Sequence, residues 1–129
     1  MVSEVEKAYA AGFFDGEGSV SIAKPRSRRG YAVQLAIGQK DSRPLTWLQS
    51  IWGGSIRSFG SNAFLWETSS AGAGRFLTDI FPYLKVKQEV AALALEMQAT
   101  KNHALRATPE YLTVCETIRL KVINLNALS

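Results

Sequence analysis

Two carboxylates in a glycine-rich stretch are the residues of this chain best suited to chemistry. Asp15 and Glu17 belong to the string AAGFFDGEG, which runs from Ala10 to Gly18. Apolar and small residues at helical spacing precede them, so both acids are expected at a helix C-terminus. The partial negative charge of that terminus makes a carboxylate unfavourable unless a cation compensates it. The pattern therefore predicts that a cation is bound beside these two acids.

Small residues on the same helix predict a contact between two copies of the chain. Ala8 and Gly12 are one turn apart and Ala11 lies beside them, which lets a second backbone approach closely. If two such helices pack together, their Glu17 carboxylates converge, and both stay ionised only when metal is bound. Ordinary packing within one subunit is the alternative.

The first helix is expected to begin close to the N-terminus. Ser3 followed by Glu6 is a capping-box pattern, which predicts a helix start near Glu4. Asp15–Gly18 is expected to end this helix, because two glycines within three residues favour a turn.

The rest of the chain alternates between strand and helix patterns. Period-two alternation predicts two hairpins, Ser19–Ala23 with Tyr31–Ile37 and Ser55–Phe59 with Ala63–Thr68. Helices are expected from an Asp41 or Ser42 cap to Trp52, then at about Ala71–Phe81, Val86–Thr100 and from Pro109. This order predicts one α+β domain over residues 1–129, with a four-stranded sheet and helices on one face.

The other face of that sheet is expected to be open. Its outward positions are small or polar, at Ser19, Ser21, Gln34, Ala36, Arg57 and Glu67. A twisted pair of strands fits the major groove of DNA. A basic run of Lys24, Arg26, Arg28 and Arg29 joins the first two strands, and such a run is either a phosphate-binding patch or a solvated loop. The three tryptophans, Trp47, Trp52 and Trp66, are expected in the core, and Cys115 is expected to be buried.

Composition excludes several classes of protein. The chain has 47% hydrophobic residues and a net charge of +4, with a single cysteine and therefore no intrachain disulfide. Its apolar stretches fall short of the roughly 18 residues of a membrane span, and its N-terminus does not resemble a secretory signal. We expect an intracellular protein, in a bacterial or archaeal cytoplasm or an organelle, with no membrane partner and no small-molecule substrate.

The string AAGFFDGEG resembles the LAGLIDADG motif of homing endonucleases. Asp15 and Glu17 take the two acid positions, Gly16 the small position between them, and Phe81–Gln88 resembles the block before the family's long helix. The resemblance covers roughly Ala8 to Ala99. It implies an αββαββα core with a saddle-shaped antiparallel sheet on DNA, in the single-motif, homodimeric branch.

The resemblance also implies roles for particular residues. Two motif helices form the dimer interface, here Ala8, Ala11 and Gly12, and Glu17 binds metal with the Gly16 carbonyl. Mg²⁺ or Mn²⁺ is the implied cofactor, while Ca²⁺ is expected to bind without supporting cleavage. Gln39 and Arg43 match residues that orient the attacking water, and Lys87 matches a lysine that stabilises charge on phosphate, with Lys85 as the alternative.

The implied substrate is a long, nearly palindromic double-stranded DNA site, cut in both strands. The implied contacts are made by Ser19, Ser21, Ala23, Lys24, Arg26, Arg28, Arg29, Gln34, Ala36, Lys40, Arg57, Phe59, Leu65 and Glu67. A non-cleaving nucleic-acid-binding protein on the same fold, such as an RNA maturase, is the alternative. A purely structural dimerisation domain is a third reading, which the basic run and the polar sheet face disfavour. Intact Glu17, Gln39 and Lys87 disfavour the loss of cleavage.

Overall fold

The computed structural model describes residues 2–24, 30–100 and 108–128. Its elements follow the predicted order. The helices are α1 (Glu4–Glu17), α2 (Arg43–Trp52), α3 (Ser70–Ile80), α4 (Gln88–Thr100) and α5 (Pro109–Ala127), and a short 3₁₀ turn at Phe81–Tyr83 follows α3. The strands are β1 (Gly18–Ala23), β2 (Ala32–Gln39), β3 (Ser55–Phe59) and β4 (Ala63–Ser69).

The four strands form one antiparallel sheet in the order β1-β2-β4-β3. Each predicted hairpin is present, and β2 pairs with β4 to join the two hairpins at the centre of the sheet. Helices α3, α4 and α5 pack against β1 and β2. The predicted α+β architecture is therefore confirmed. Arg26, Arg28 and Arg29 of the basic run lie outside the described residues.

Alternation along the strands separates a buried face from an open face, as predicted. Val20 and Ile22 on β1, and Val33, Leu35 and Ile37 on β2, are buried beneath the helices. The intervening positions are exposed or partly exposed, among them Ser19, Ser21, Gln34, Ala36, Arg57, Phe59, Leu65 and Glu67. One side of the sheet thus holds the core while the other side presents a mixed polar surface.

Helix α1 begins and ends where the sequence predicts. Ser3 and Glu6 form both hydrogen bonds of the capping box, at 3.1 Å each. The prediction that Asp15–Gly18 ends the helix is confirmed, since α1 ends at Glu17, although Asp15 and Gly16 are still helical rather than part of a turn. Gly18 is the first residue of β1, and its N–H still donates to the carbonyl of Phe14. The acids therefore stand on a rigid last turn of helix.

Aromatic rings fill the space between α1, α2, α3 and the sheet. Phe76 makes edge-on contacts with Trp52, Trp66 and Phe14 at centroid separations of 5.0, 5.1 and 5.5 Å. Trp52 and Trp66 are buried and Trp47 is half-buried, which confirms their assignment to the core. Cys115 is also buried, as predicted. Across the described segments, every helix is too short or too polar to span a bilayer.

We expect Gly18→Ala to lower the free energy of unfolding by about 1–3 kcal/mol, as overpacking of a core does. A Cβ at Gly18 would lie 2.5 Å from Cε1 of the Phe14 ring and closer still to Cδ1, and Phe14 is fully buried. Urea denaturation measures the effect. The control is Gly38→Ala, where the added carbon meets Leu65 at an ordinary 3.7 Å. Equal stability of the two variants would contradict this account.

Candidate catalytic and DNA-binding site

Glu17 lies where α1 passes directly into the sheet. Both Glu17 and Gly16 are exposed. Because Gly18 pairs with Ile37, Glu17 is placed beside the end of β2, where Gln39 is the last residue of the strand. The last carbonyl groups of a helix lack partners within it, so the Gly16 carbonyl is available to a ligand. Two of the predicted catalytic residues are therefore brought to one end of the sheet.

Asp15 anchors this end of α1 to the segment that leads into α4. Its carboxylate accepts the backbone N–H of Lys85 at 2.7 Å and that of Lys87 at 3.0 Å. The Ala91 N–H donates to the Lys87 carbonyl, so Lys87 opens the first turn of α4. A carboxylate at a helix N-terminus is favourable in both charge and hydrogen bonding. The first acid of the motif is thus structural and joins residues 70 or more positions apart.

Lys87 rather than Lys85 reaches the end of α1. The Lys87 ammonium donates to the Asp15 main-chain carbonyl at 2.7 Å and is half-buried there, whereas Lys85 is exposed. A cation at a helix C-terminus is stabilised by the helix dipole. The positive charge of Lys87 consequently lies two residues from Glu17 along α1.

The side chain of Arg43, the first residue of α2, is held by an acidic neighbour in this structure. Its guanidinium makes a forked pair with Asp41, with Nη2 donating to Oδ2 at 2.6 Å, and the Arg43 N–H also donates to Asp41. The hydrogen bonds from Arg43 lower the pKa of Asp41 to about 2, so the pair is intact at neutral pH. Arg43 shares a cleft with Tyr9 and Trp47. Tyr9 precedes Glu17 by eight residues, roughly 12 Å along the helix.

One face of α1 is left uncovered by the subunit. Ala8, Gly12 and Gly16 are exposed at successive turns, and beside them Val5 is 80% and Tyr9 60% exposed. A Cβ at Gly12 or Gly16 would meet nothing within 4 Å. We call these five residues the exposed face of α1.

The assignment of Ala11 to this face was wrong. Ala11 is 0% exposed and packs with Ala10 and Phe14 on the buried side of the helix. It therefore has no surface to offer a second subunit. Ala8 and Gly12, the other two predicted interface residues, remain exposed.

The open side of the sheet carries an ion pair that the sequence did not reveal. Arg57 Nε on β3 donates to Glu67 Oε1 on β4 at 2.8 Å.

Other predicted DNA-binding residues lie along the strands or at their ends. Lys40 follows β2 at the Glu17 end, and Lys24 follows β1 at the opposite end. Ala23, with Ser19 and Ser21, completes the outward row of β1.

The described residues contain no group of three or more acidic, histidine or cysteine side chains placed to hold a metal ion. Neither the ion pair between Asp41 and Arg43 nor the hydrogen bonds of Asp15 to the segment before α4 were predicted from the sequence. The partners of these two acids are backbone N–H groups and a neighbouring guanidinium, for which only the Asp41–Arg43 spacing gave a local signal.

Comparison with known proteins identifies similar endonucleases. The chain is 31% identical over 117 residues to the DNA endonuclease I-CreI of Chlamydomonas reinhardtii, in an alignment that covers 83% of this chain and 71% of that protein. No protein-family model matches the chain.

Solved structures share the fold. The homing endonuclease I-CvuI, in complex with the I-CreI target, superposes with a TM-score of 0.80 at 23% identity, covering 95% of this chain and 82% of that one. The archaeal intron-encoded I-Vdi141I, in complex with DNA, gives 0.81 at 16% identity, covering 95% and 84%. I-SmaMI, bound to cleaved DNA, gives 0.71 at 20% identity, covering 87% of this chain but 42% of that one.

We expect Asp15→Ala to lower the free energy of unfolding by about 1–3 kcal/mol, because two backbone N–H groups lose a charged acceptor. Asp15→Asn keeps one acceptor oxygen, so its loss should be smaller. Chemical denaturation of both variants, beside Glu96→Ala as an exposed carboxylate on α4, measures the difference. A loss no larger than that of Glu96→Ala would contradict the anchoring role.

Proposed function

Because the chain belongs to the LAGLIDADG homing endonuclease family, we propose that it is a site-specific, metal-dependent endonuclease that cuts both strands of a long, nearly palindromic DNA site as a homodimer. Residues 1–129 make one endonuclease unit in this proposal. Its substrate places the protein inside the cell, in the cytoplasm or in an organelle. The observation that carries the proposal is an exposed Glu17 at the end of a helix whose small-residue face is uncovered.

The exposed face of α1 supports dimerisation through two copies of this helix. Gly12 and Gly16 are not required by packing within the subunit, since an added Cβ would meet open space. A second helix backbone at close range accounts for their small size, and a twofold interface uses the same surface twice. The match covers less than half of the I-SmaMI chain, so that chain is long enough to contain a second unit of the same size.

A divalent cation fits the donors at the end of α1. The Glu17 carboxylate and the Gly16 carbonyl would hold it, both being exposed oxygen donors on a rigid turn. Solved structures of I-CvuI were obtained with Mg and with Ca. We propose Mg²⁺ or Mn²⁺ for cleavage here and Ca²⁺ for binding alone. When bound, the cation supplies Lewis-acid activation of water and neutralises charge on the phosphate.

Residues of the chain then orient the attacking water and stabilise charge on the phosphate. Gln39 at the end of β2 offers an amide that orients the attacking water. The Lys87 ammonium is held on the Asp15 carbonyl, two residues before Glu17 on α1, and stabilises charge on the phosphate from there. Arg43 acts on the same phosphate only after its guanidinium leaves Asp41 or shares it, because the pair turns it toward the Tyr9 cleft.

DNA lies on the open side of the sheet in this proposal. The outward rows of β1, β2, β3 and β4 face the bases, while Lys24 and Lys40 at the strand ends contact phosphates. Arg26, Arg28 and Arg29 extend the phosphate contacts as part of the basic run. The described helices cover the other, buried face of the sheet, so they do not obstruct a duplex on its open side.

We expect Glu17→Gln to bind DNA at least as well as the wild type and to cut more than about a hundredfold more slowly. Glutamine keeps the shape of the side chain but removes the charge that holds the cation and repels phosphate. Duplexes selected by the wild-type protein from a randomised pool serve as substrate, with Mg²⁺ or EDTA. Cutting by Glu17→Gln at the wild-type rate would refute the site. Binding without cutting by the wild type would favour the non-cleaving alternative.

We expect Gly12→Leu to dissociate the dimer while each subunit stays folded. The leucine side chain enters open space in the single subunit but would separate two helices that pack through their glycines. Sedimentation measures the assembly and circular dichroism the fold. Glu96→Leu, which adds a similar side chain to exposed α4, is the control and should remain dimeric. A dimeric Gly12→Leu variant would place the interface elsewhere.

A further inference from the structure

The carboxylate of Glu67 lies on the sheet surface that is proposed to bind DNA. Glu67 lies on β4 opposite Ser55 of β3 and Ala36 of β2, neither of which carries charge. Its partner is Arg57, diagonally across on β3. Both side chains are accessible, with 57% of Arg57 and 42% of Glu67 exposed. A negative charge here weakens the attraction to any duplex, so its presence needs a reason specific to sequence reading.

The geometry of the pair leaves the outer end of the arginine available. A guanidinium has five N–H donors arranged as a fork. Glu67 takes the Nε–H, and within the described chain the two terminal nitrogens, Nη1 and Nη2, make no hydrogen bond. Two parallel donors at the end of an arginine match the O6 and N7 acceptors of guanine in the major groove. The Glu67 carboxylate therefore holds the Nε side of the guanidinium and leaves Nη1 and Nη2 to donate to a nucleobase.

A phosphate-binding arginine would gain nothing from this arrangement. A neighbouring carboxylate lowers the local positive potential, which is what attracts phosphate. It also fixes one orientation of the guanidinium, which a point contact to phosphate does not need. Base reading does need it, because bidentate recognition depends on the plane of the fork.

We propose that Glu67 is a specificity-determining residue of the DNA interface, which holds Arg57 in the end-on orientation that reads a guanine. The inference rests on the proposed function, since it assigns sequence reading to the open sheet face. Glu67 acts through Arg57 and is a positioning residue. Glu67 lowers the general affinity for DNA and raises the discrimination between bases at one symmetric pair of positions.

The test compares binding profiles of Glu67→Gln, Arg57→Ala and the double variant on a randomised duplex pool, in Ca²⁺ buffer. Glu67→Gln should bind the pool as a whole more tightly, while its preference for guanine at one symmetric position falls about tenfold. Arg57→Ala should lose the same preference and bind more weakly, because Glu67 then stands unpaired beside DNA. The double variant should recover affinity but not preference.

Glu96→Gln controls for the loss of one negative charge, since Glu96 is exposed on α4 in the helical layer. It should leave the profile unchanged. An unaltered preference in Glu67→Gln, or uniform losses at every position in Arg57→Ala, would overturn this inference while leaving the proposed function intact. Failure of the wild type to bind any duplex would overturn both.

Discussion

The contact between the Asp15 carboxylate and the N-terminus of α4 is the constraint on which the candidate site depends. It ties the last turn of α1 to the Lys85–Lys87 segment. The same contact brings the Lys87 ammonium onto the Asp15 carbonyl, so that one helix terminus is neutralised by a lysine and the other by an aspartate. Glu17 lies at the surface and forms no ion pair with any other residue that the structure describes. The charges of Asp15 and Lys87 are engaged in structural contacts, which is consistent with the proposal that a cation binds at Glu17.

The close junction of α1 and β1 keeps that site rigid. Gly18 ends the helix and starts the strand, and the Phe14 ring occupies the space that a side chain at Gly18 would fill. Because no loop intervenes, the position of Glu17 follows directly from the sheet register. Rigid placement on a helix end suits catalysis that depends on geometry.

The two uncovered surfaces of the subunit differ in character. The exposed face of α1 combines three small residues with Val5 and Tyr9, and its small residues suit close contact with a like helix. The open side of the sheet is polar and carries the Arg57–Glu67 pair, which suits a hydrated, patterned ligand such as a duplex. The core between these two surfaces contains most of the buried aromatic side chains, and within it Phe76 contacts both Trp52 and Trp66.

Local patterns in the sequence determined the element order, the two hairpins and the outward positions of the strands, because period-two burial and capping act between near neighbours. The motif also predicted Glu17 as a metal ligand. Only the tertiary structure decided that Ala11 faces inward and Ala8 outward, since alanine and glycine give too little hydrophobic contrast to distinguish helix faces. It alone paired Asp15 with Lys85 and Lys87, and Arg57 with Glu67. Those contacts join residues distant in sequence or on different strands, and their partners become neighbours only after the chain has packed.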